Sequence, residues 1–448
     1  MNGELVGQWS ALRTGTPIFR YAQTWTESAY ARPLSLSLPI TADREIRGQI
    51  VENYFENLLP DSVEMRRRMR TKLSARSMST FDLLTAAGRD CVGAVQLLAP
   101  EEQSVGWNRI EGTALSDAQV EKLLRDVSAP NLGQRDESEA EFRISIAGAQ
   151  EKSALLHMGG KWFRPQGATP TTHILKLPLG LIGGFRGDFS QSVENEWLCA
   201  QLLHAFGLPV ARTDMATFGS QKVLVVRRFD RRWMGVDLEA TEKRRFSPSA
   251  KMWIARVPQE DFCQALGVPP NQKYETDGGP SMDHALRLLA GCEEPDTDRA
   301  TFVLAQLAFW LLAATDGHGK NFSLHHLTDG RYRMTPLYDV LSAWPIIGPG
   351  GNQLSQRKVR LAMSLPGRRR HYKLDEIQVR HWREFAQRSG VPQMWERMML
   401  FVDSADDAIQ AAEKLLPTGF PERVFTKIAA GIRKQAKLFT AGENGKRL

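Results

Sequence analysis

One stretch of the sequence constrains the fold more than any other. Fourteen residues, FVLAQLAFWLLAAT (302–315), carry only two polar side chains and lead directly into DGHGKN (316–321). An apolar run of this length is typical of a buried helix, and it is shorter than the roughly 20 residues that a membrane span requires. Two glycines loosen the segment that follows, in which Asp316, His318 and Asn321 lie within six residues. We therefore expect a rigid helix that positions a cluster of functional side chains.

The composition excludes several classes of protein. With 42% hydrophobic and 24% charged residues, the 448-residue chain is typical of a folded protein of two or three domains. The four cysteines are far apart and form no paired motif, which argues against a zinc ribbon or a disulfide framework. No signal peptide or membrane span is visible, so we expect a cytoplasmic protein with no membrane contact.

The positive charge is modest overall and is concentrated in two places. Lys and Arg outnumber Asp and Glu by 58 to 51. The densest basic regions are RRRMRTK (66–72) and the segment 357–388. Each is either a solvated surface or a surface that contacts nucleic-acid phosphates, and the sequence does not decide between the two.

The order of patterns along the chain predicts an α+β protein with a strand-rich half followed by a helix-rich half. PLSLSLP (33–39) alternates apolar and polar residues as a half-buried strand does, and a helical pattern covers about 48–88. A polar, turn-rich segment then suggests a domain boundary. We predict an N-terminal α/β subdomain (1–130), a strand-rich lobe (140–255) and a helical lobe (256–448).

Three polar residues in the helix-rich half have the spacing that phosphoryl transfer requires. Asp316 and Asn321 are five residues apart, and Asp339 follows two strand-like runs joined by a turn. Transfer from ATP needs one carboxylate to deprotonate the attacking hydroxyl, and an amide oxygen with a second carboxylate to hold Mg²⁺. Protein kinases supply these groups with the same spacing. We predict that Asp316 is the catalytic base and that Asn321 and Asp339 are the magnesium ligands. The alternative is that Asp316 caps the helix and Asn321 forms a turn.

Residues further upstream are candidates for the phosphate contacts. Lys176 lies within the strand-like HILKLP, where a lysine is unfavourable unless it reaches solvent or an anion. Glu196, in a helical pattern, is well placed to pair with it, and Glu194 is the other candidate. SIAGAQEK (145–152), between two strands, is either a loop whose backbone amides approach phosphates or a plain hairpin turn. The order of these parts along the chain is that of the protein-kinase fold.

The sequence as a whole resembles one family, the HipA-like serine/threonine kinases, which are toxins of bacterial HipBA toxin–antitoxin modules. The resemblance extends over most of the chain. It implies a two-lobed protein-kinase-like fold, related to the phosphoinositide kinases, with the strand-rich part first and the helical lobe last. The motifs that carry it are YARPLSLSLP (30–39), FENLLPDS (55–62), FRISIAGAQEK (142–152), TPTTHILKLP (169–178), RFDRRW (228–233), PQEDFCQALG (258–267), KYETDGGP (273–280), ATDGHGKN (314–321) and PLYDVLSA (336–343).

The resemblance assigns further residues to an ATP site. It implies that Lys176 contacts the nucleotide phosphates, that residues 147–152 form the phosphate loop and that the strand end 227–229 forms the adenine hinge. Ser145 matches the position that the family autophosphorylates, and a phosphate there would repel those of ATP unless the loop moves. The predicted ATP-binding residues are Ala147, Gly148, Ala149, Gln150, Glu151, Lys152, Lys176, Arg227, Arg228, Phe229, His318, Lys320, Asn321 and Asp339.

The resemblance also implies partners. We expect ATP and Mg²⁺ as cofactors, a HipB-like helix-turn-helix antitoxin, and operator DNA bound through the complex with that antitoxin. The expected substrate is a protein serine in an aminoacyl-tRNA synthetase, glutamyl-tRNA synthetase being the family's example, and its phosphorylation would arrest growth. One departure from the family pattern is Arg227, which stands where an acidic residue is expected.

Two other functions are compatible with the motifs. A small-molecule kinase of the aminoglycoside or lipid type would use the same catalytic loop. A catalytically inactive DNA-binding regulator would rely on the basic segments 66–72 and 357–388, although such a protein has no need of a complete set of catalytic residues. Turnover of ATP would separate these classes.

Overall fold

The structure, a computed structural model, describes residues 1–10, 15–100, 102, 105–128, 150, 152–182, 187–236, 241, 249 and 251–443. The described residues form an N-terminal domain, a strand-rich lobe and a helical lobe, and the largest hydrophobic core belongs to the helical lobe. Within these ranges, no helix is long and apolar enough to cross a membrane.

A small antiparallel sheet and several helices form the N-terminal domain. Aromatic side chains fill its core, with the rings of Trp9 and Phe55 stacked 4.0 Å apart. The helical pattern predicted over 48–88 is divided into separate helices because Ser62 and Ser79 each accept a hydrogen bond from a backbone N–H three residues on. The elements are β1 (Gly7–Ser10), β2 (Ile18–Tyr21), α1 (Gln23–Thr26), β3 (Glu45–Arg47), α2 (Gln49–Glu56), α3 (Val63–Leu73) and α4 (Thr80–Ala87).

An antiparallel sheet dominates the strand-rich lobe. The elements are β4 (Gly112–Leu115), α5 (Asp117–Ser128), β5 (Lys152–Met158), β6 (Lys161–Pro165), β7 (His173–Lys176), β8 (Gly180–Ile182), β9 (Gly187–Phe189), α6 (Ser192–Ala205), β10 (Thr213–Phe218), β11 (Gln221–Arg227), β12 (Arg231–Met234) and β13 (Trp253–Arg256). The described strands of the main sheet run in the order β10-β11-β7-β5-β6-β4. Helix α5 covers one face, where Val120 and Leu124 pack against Leu175 and Val225. On the opposite face, Leu224 joins the core of the helical lobe.

The boundary between the first two units lies earlier than the predicted one. Strand β4 pairs with β6, and α5 packs on the same sheet. Residues 112–128 therefore belong to the strand-rich lobe, whereas the order of patterns along the sequence predicts 1–130 as one unit. The reason is that the polar, turn-rich segment, which predicts the boundary, lies between α5 and β5, and both of these elements belong to the same lobe.

Helices dominate the last part of the chain. The buried helix predicted from the apolar run is confirmed: α9 begins at Pro295 and ends at Leu312, where Ala313 closes it in the left-handed conformation with φ 49°. Asp316 is therefore not the cap of this helix. The elements are β14 (Gln259–Asp261), α7 (Phe262–Ala265), α8 (Met282–Leu289), α9 (Pro295–Leu312), β15 (Ser323–His326), β16 (Tyr332–Met334), β17 (Arg360–Leu365), β18 (His371–Lys373), α10 (Val379–Arg388), α11 (Met394–Asp403), α12 (Ala405–Glu413) and α13 (Glu422–Glu443).

A buried set of charged side chains joins the N-terminal domain to the strand-rich lobe. Asp90 accepts hydrogen bonds from Arg228 at 3.3 Å, Arg231 at 2.9 Å and Arg256 at 3.3 Å. Asp230 accepts from Arg228 at 2.7 Å and from Arg231 at 2.9 Å. None of the five is more than 8% exposed. Burial raises the pKa of Asp90, but the three guanidinium groups together bring it well below its usual range.

Candidate active site

The polar loop after α9 brings three of the predicted residues together. Asn321 Nδ2 donates to the backbone oxygen of Asp316 at 2.7 Å, which orients the amide and leaves its Oδ1 for another partner. The backbone N–H of His318 donates to the same oxygen at 2.8 Å. The Asp316 side chain is 55% exposed, and its Oδ1 accepts a hydrogen bond from the Tyr274 hydroxyl. The loop thus presents an exposed carboxylate and an oriented amide.

Asp339 reaches the site from beyond the predicted hairpin. Strands β15 and β16 pair, and Asp339 follows them with φ 61°, a left-handed conformation that Asp tolerates better than most residues. Lys176 Nζ donates to Asp339 Oδ1 at 2.7 Å and to Glu196 Oε1 at 2.6 Å. One ammonium group therefore links β7, α6 and the segment that follows the hairpin.

The two candidate glutamates on α6 have different partners. Glu196 pairs with Lys176, whereas Glu194 accepts a hydrogen bond from Lys222 Nζ at 2.6 Å. Residues two apart in a helix point in different directions, so only one of the two glutamates can face Lys176. Both glutamates are buried, but Lys222 is 49% exposed.

Burial and neighbouring charges shift the pKa of each member of the Lys176 cluster. Burial raises the pKa of Glu196 to about 7, against the opposing effect of Lys176. Burial also raises the pKa of Asp339, but Lys176 and Lys152 together lower it to about 2. Burial lowers the pKa of Lys176, and Asp339 and Glu196 raise it above its ordinary value. At neutral pH the site therefore holds an ionised Asp339 and a charged Lys176.

A second lysine faces the same part of the cleft. Lys152 and Lys176 are partners across β5 and β7, so their side chains share one face of the sheet. Burial and Lys176 lower the pKa of Lys152 to about 8, with Asp339 opposing them. Two lysines beside one carboxylate create the positive environment that phosphate groups need.

Most of the predicted phosphate loop lies outside the described residues. Gln150 is described, and its Nε2 donates to the backbone oxygen of Leu177 at 2.6 Å. This contact connects Gln150, two residues before β5, to the residue that directly follows β7. The predicted residues outside the described ranges are Ser145, Ala147, Gly148, Ala149 and Glu151.

Lys320 contacts the N-terminal domain. Its Nζ donates to Asp61 Oδ1 at 2.7 Å and to the backbone oxygen of Asn57 at 3.3 Å, and the side chain is only 4% exposed. The Lys320 ammonium group is therefore already paired and shielded from solvent, and the predicted nucleotide contact of this residue stays a prediction.

The side chains of the predicted hinge point in three directions. Arg227 is the partner of His173 across β11 and β7, so it lies on the face opposite Lys176. The Arg228 side chain is buried among the carboxylates described above, so a contact of this residue with the nucleotide would use its backbone and stays a prediction. The Phe229 ring lies 5.6 Å from that of Tyr338, the residue before Asp339. Of these three side chains, that of Phe229 therefore lies nearest the site.

Tyr274 and His318 flank Asp316. Their rings meet edge to face with centroids 4.9 Å apart, and His318 Nε2 is 3.8 Å from Asp316 Oδ1. Burial lowers the pKa of His318, so the imidazole is neutral at neutral pH. The role of Tyr274 was not predicted, since no spacing rule connects a tyrosine in KYETDGGP with a carboxylate that lies 42 residues further along the chain.

Two further residues that the sequence analysis missed hold the halves of the site together. Asn195 donates to the backbone oxygen of Ser342 at 2.8 Å and accepts from its N–H at 3.0 Å. The Ser342 hydroxyl donates to the backbone oxygen of Leu312 at 2.6 Å. These contacts fasten α6, which carries Glu196, to the end of α9. Polar residues this common give no signal in a sequence.

The oxygen donors present suit a magnesium ion. Asn321 and Asp339 offer one amide oxygen and one ionised carboxylate, and Mg²⁺ prefers one or two such protein ligands together with substrate phosphates. Among the described residues, no three His, Cys, Asp or Glu side chains cluster closely enough to form a metal cage of their own. A cation that also binds nucleotide phosphates fits this sparse donor set.

The two lobes, the lysine shared by a helix glutamate and a distant aspartate, and the Asp-x-x-x-x-Asn loop define a protein-kinase-like fold, as the sequence predicted. The HipA N-terminal domain family matches residues 1–98, and the HipA-like C-terminal domain family matches residues 144–413. The chain therefore belongs to the HipA family.

Individual relatives agree with this assignment. A protein named putative kinase Y4mE, from Sinorhizobium fredii, is 32% identical over 91% of this chain and 89% of its own length. The serine/threonine-protein kinase toxin HipA of Shewanella oneidensis is 26% identical over 72% of this chain and 69% of its own length. Among solved structures, HipA in a Shewanella oneidensis complex of HipA, HipB and operator DNA has the same fold, with a TM-score of 0.78 at 22% identity over 99% of this chain and 98% of that one.

Proposed function

We propose that this protein is an ATP-dependent serine/threonine protein kinase with Asp316 as its catalytic base. The observation that carries the proposal is the Lys176 ammonium group, which is shared by Glu196 and Asp339. Kinases need a lysine held by a glutamate beside a metal-binding aspartate, whereas a DNA-binding surface has no use for a buried triad of this kind. The names of the relatives, a putative kinase and a kinase toxin, support the same conclusion.

The proposed transfer is a direct displacement at the γ-phosphorus. The serine oxygen of the substrate forms a bond to phosphorus while the bond to the bridging oxygen breaks, and ADP leaves with that electron pair. Asp316 accepts the serine proton, for which its exposed carboxylate is well suited. Asn321 and Asp339 would hold Mg²⁺, which neutralises charge on the phosphates when it is bound.

Two lysines are proposed to contact the nucleotide phosphates. Lys176 is held by Glu196, and Lys152 shares its face of the sheet. The strand end 227–229 is proposed as the adenine hinge, with the Phe229 side chain beside Tyr338. Because the Arg227 side chain lies on the other face of the sheet, its departure from the family pattern is compatible with nucleotide binding.

The partners are proposed from the relatives. We infer that the protein acts as a toxin, that a HipB-like helix-turn-helix antitoxin neutralises it, and that the pair binds operator DNA, since the solved relative is a complex of HipA, HipB and operator DNA. The exposed basic helix α3 and the segment 357–388 are candidate phosphate contacts. A cytoplasmic location belongs to the same proposal.

The proposed substrate is a serine in another protein, with an aminoacyl-tRNA synthetase of the glutamyl type as the family example. Ser145 is proposed as the site of autophosphorylation. A dianion there would repel the phosphates of ATP and so switch the enzyme off.

The test is mass spectrometry of the purified, phosphatase-treated chain after incubation with Mg-ATP. We expect one added phosphate on Ser145 in the wild type and none in Asp316→Asn, which is nearly isosteric at an exposed position and loses about 10³-fold or more in rate. Asp296→Asn, an exposed change in the first turn of α9, is the matched control and should behave as the wild type.

Each contrary result has a definite meaning. A wild type that stays unmodified and does not turn over ATP contradicts the kinase proposal. ATP turnover without any phosphoprotein favours the small-molecule kinase. A phosphopeptide that persists at full yield in Ser145→Ala rejects Ser145 as the modified residue.

A further inference from the structure

Asp61 lies between α2 and α3 of the N-terminal domain, yet both of its carboxylate oxygens bind the helical lobe. Oδ1 accepts a hydrogen bond from Lys320 Nζ at 2.7 Å, and Oδ2 accepts one from Lys273 Nζ at 2.7 Å. The exposed fractions of the three side chains are 14% for Asp61, 4% for Lys320 and 16% for Lys273. A single shielded carboxylate therefore bridges two lysines from separate segments of the helical lobe.

The first of these lysines adjoins the candidate magnesium ligands. Lys320 directly precedes Asn321 in the catalytic loop. Its backbone oxygen accepts a hydrogen bond at 2.8 Å from the hydroxyl of Tyr338, which directly precedes Asp339. The position of Lys320 therefore affects both residues that are proposed to hold the cation.

The second lysine adjoins the proposed base. Lys273 directly precedes Tyr274, whose hydroxyl donates to the Asp316 carboxylate. The backbone oxygen of Lys273 also accepts a hydrogen bond at 3.1 Å from the N–H of Gly319, within the catalytic loop. The position of Lys273 therefore affects how Asp316 is oriented.

The charge on Asp61 is what allows the two lysines to share this place. Burial raises the pKa of Asp61, but Lys320 and Lys273 together lower it to about 2, so the carboxylate is ionised at neutral pH. Without that charge, two ammonium groups would face each other with little solvent between them, which is strongly unfavourable. The loop would then move, and a displacement of about 1 Å in an active site costs roughly 10²-fold in rate.

We propose that Asp61 is a positioning residue for phosphoryl transfer, through which the N-terminal domain fixes the catalytic loop. The proposal rests on the kinase function proposed above. Asp61 acts through Lys320 and Lys273, which hold Asn321 and Tyr274 in place. The N-terminal domain is accordingly a structural part of the active site.

The experiment compares Asp61→Asn and Asp61→Glu in the full chain. Asn keeps the shape but replaces one acceptor oxygen with an N–H group that faces an ammonium group. Glu is one methylene longer but keeps both acceptors. We expect kcat to fall about 10²-fold for Asn and by no more than roughly tenfold for Glu, with KM for ATP within about threefold of wild type in both.

The matched control is Glu56→Gln. Glu56 lies in the same domain, and its carboxylate pairs with Arg66 at 2.9 Å, whereas Lys320 and Lys273 pair with Asp61. This variant should keep the wild-type kcat. If Asn supports more activity than Glu at position 61, the residue fills space and does not act through its charge, and the proposal is overturned.

Amide hydrogen exchange gives a readout that does not depend on activity. The N–H groups of His318, Gly319 and Asn321 are all hydrogen-bonded within this region. In Asp61→Asn we expect peptides that cover 313–322 to exchange faster than in the wild type. In Glu56→Gln we expect the wild-type exchange rate. Unchanged exchange and unchanged kcat in Asp61→Asn would overturn the proposal. If the wild type proves inactive as a kinase, the proposed function fails, and the exchange of 313–322 alone then decides whether Asp61 holds the loop.

Discussion

Lys176 Nζ and Asp339 Oδ1 lie 2.7 Å apart although 163 residues separate them in the chain. A surface ion pair of this kind contributes only about 0–1 kcal/mol, because water screens it. Here Lys176 is only 8% exposed, and Glu196 is its second partner. Removal of Lys176 therefore leaves the buried Glu196 carboxylate without a compensating positive charge. Breaking this contact therefore changes both the charge of the site and its response to pH.

The two glutamates on α6 should respond very differently to the same substitution. Glu196→Gln removes the carboxylate that holds Lys176, so we expect kcat to fall about tenfold or more. Glu194→Gln affects only the pair with the half-exposed Lys222 and should leave kcat within about twofold of wild type. Steady-state phosphorylation assays on both variants measure this difference. Equal losses in the two variants would show that the pairing has no catalytic role.

Removal of the lysine should change how stability depends on pH. The folded-state pKa of Glu196 is raised to about 7 from an ordinary 4.5, so this group's stabilising contribution is lost as the pH rises between these values. In Lys176→Met the opposing effect of the lysine disappears, and the pKa of Glu196 rises further. The free energy of unfolding should then continue to fall above pH 7, by up to about 1.4 kcal/mol per pH unit for one proton.

Denaturant unfolding of the single variant beside Lys176→Met/Glu196→Gln isolates this effect. The double variant lacks the Glu196 carboxylate, so the additional fall in its free energy of unfolding above pH 7 should vanish. All other titrating groups are the same in both variants. If the free energy of unfolding depends on pH in the same way in the single and double variants, Glu196 is not the group that causes this pH dependence.

The catalytic loop could be predicted because its signal is local. The spacing of Asp316 and Asn321 and the apolar helix before them lie in one continuous stretch, so the sequence alone indicates them. PLSLSLP shows the opposite case, because its alternating pattern predicts a strand, whereas the structure has only an isolated bridge between Ser35 and Leu38. The alternation has another cause: the Ser35 hydroxyl binds the buried Glu260, and the Ser37 hydroxyl donates to a backbone oxygen of α7 at 2.6 Å.

The contacts between domains could not be predicted. Asp61 and Lys320 are 259 residues apart, and Asp90 and Arg228 are 138 apart. A charged residue that will be buried looks the same in a sequence as one that stays in solvent. The family resemblance placed Lys320 and Arg228 among the ATP-binding residues, and the partners that engage both side chains became visible only in the folded chain.

The buried arginine cluster should make Asp90 essential for stability. In Asp90→Asn, Asp230 is the remaining carboxylate of that cluster of five and faces three shielded guanidinium groups. We therefore expect a loss of about 3–5 kcal/mol in the free energy of unfolding. The folded-state pKa of Asp90 lies below its ordinary 3.8, so the difference between wild type and variant should shrink as the pH falls below that value. Urea unfolding checks both points.

Asp214→Asn, an exposed change on β10, is the control and should cost less than about 0.5 kcal/mol. A similarly small cost for Asp90→Asn would show that the cluster tolerates the missing charge.

Asp339→Asn should separate magnesium binding from nucleotide binding. Asn also tolerates the left-handed backbone conformation at this position, and Lys176 keeps Glu196 as a partner, so the variant should fold. It loses the ionised oxygen that attracts a divalent cation. Calorimetric titration should show that Mg²⁺ strengthens ATP binding by about tenfold or more in the wild type and by less than about threefold in the variant.

Asp329→Asn is the matched control and should keep the full magnesium effect. Asp329 lies in the preceding hairpin turn, with a similar φ of 60° and a side chain that is 80% exposed. Equal magnesium dependence in Asp339→Asn and the wild type would reject Asp339 as a ligand and would leave it only the role of holding Lys176.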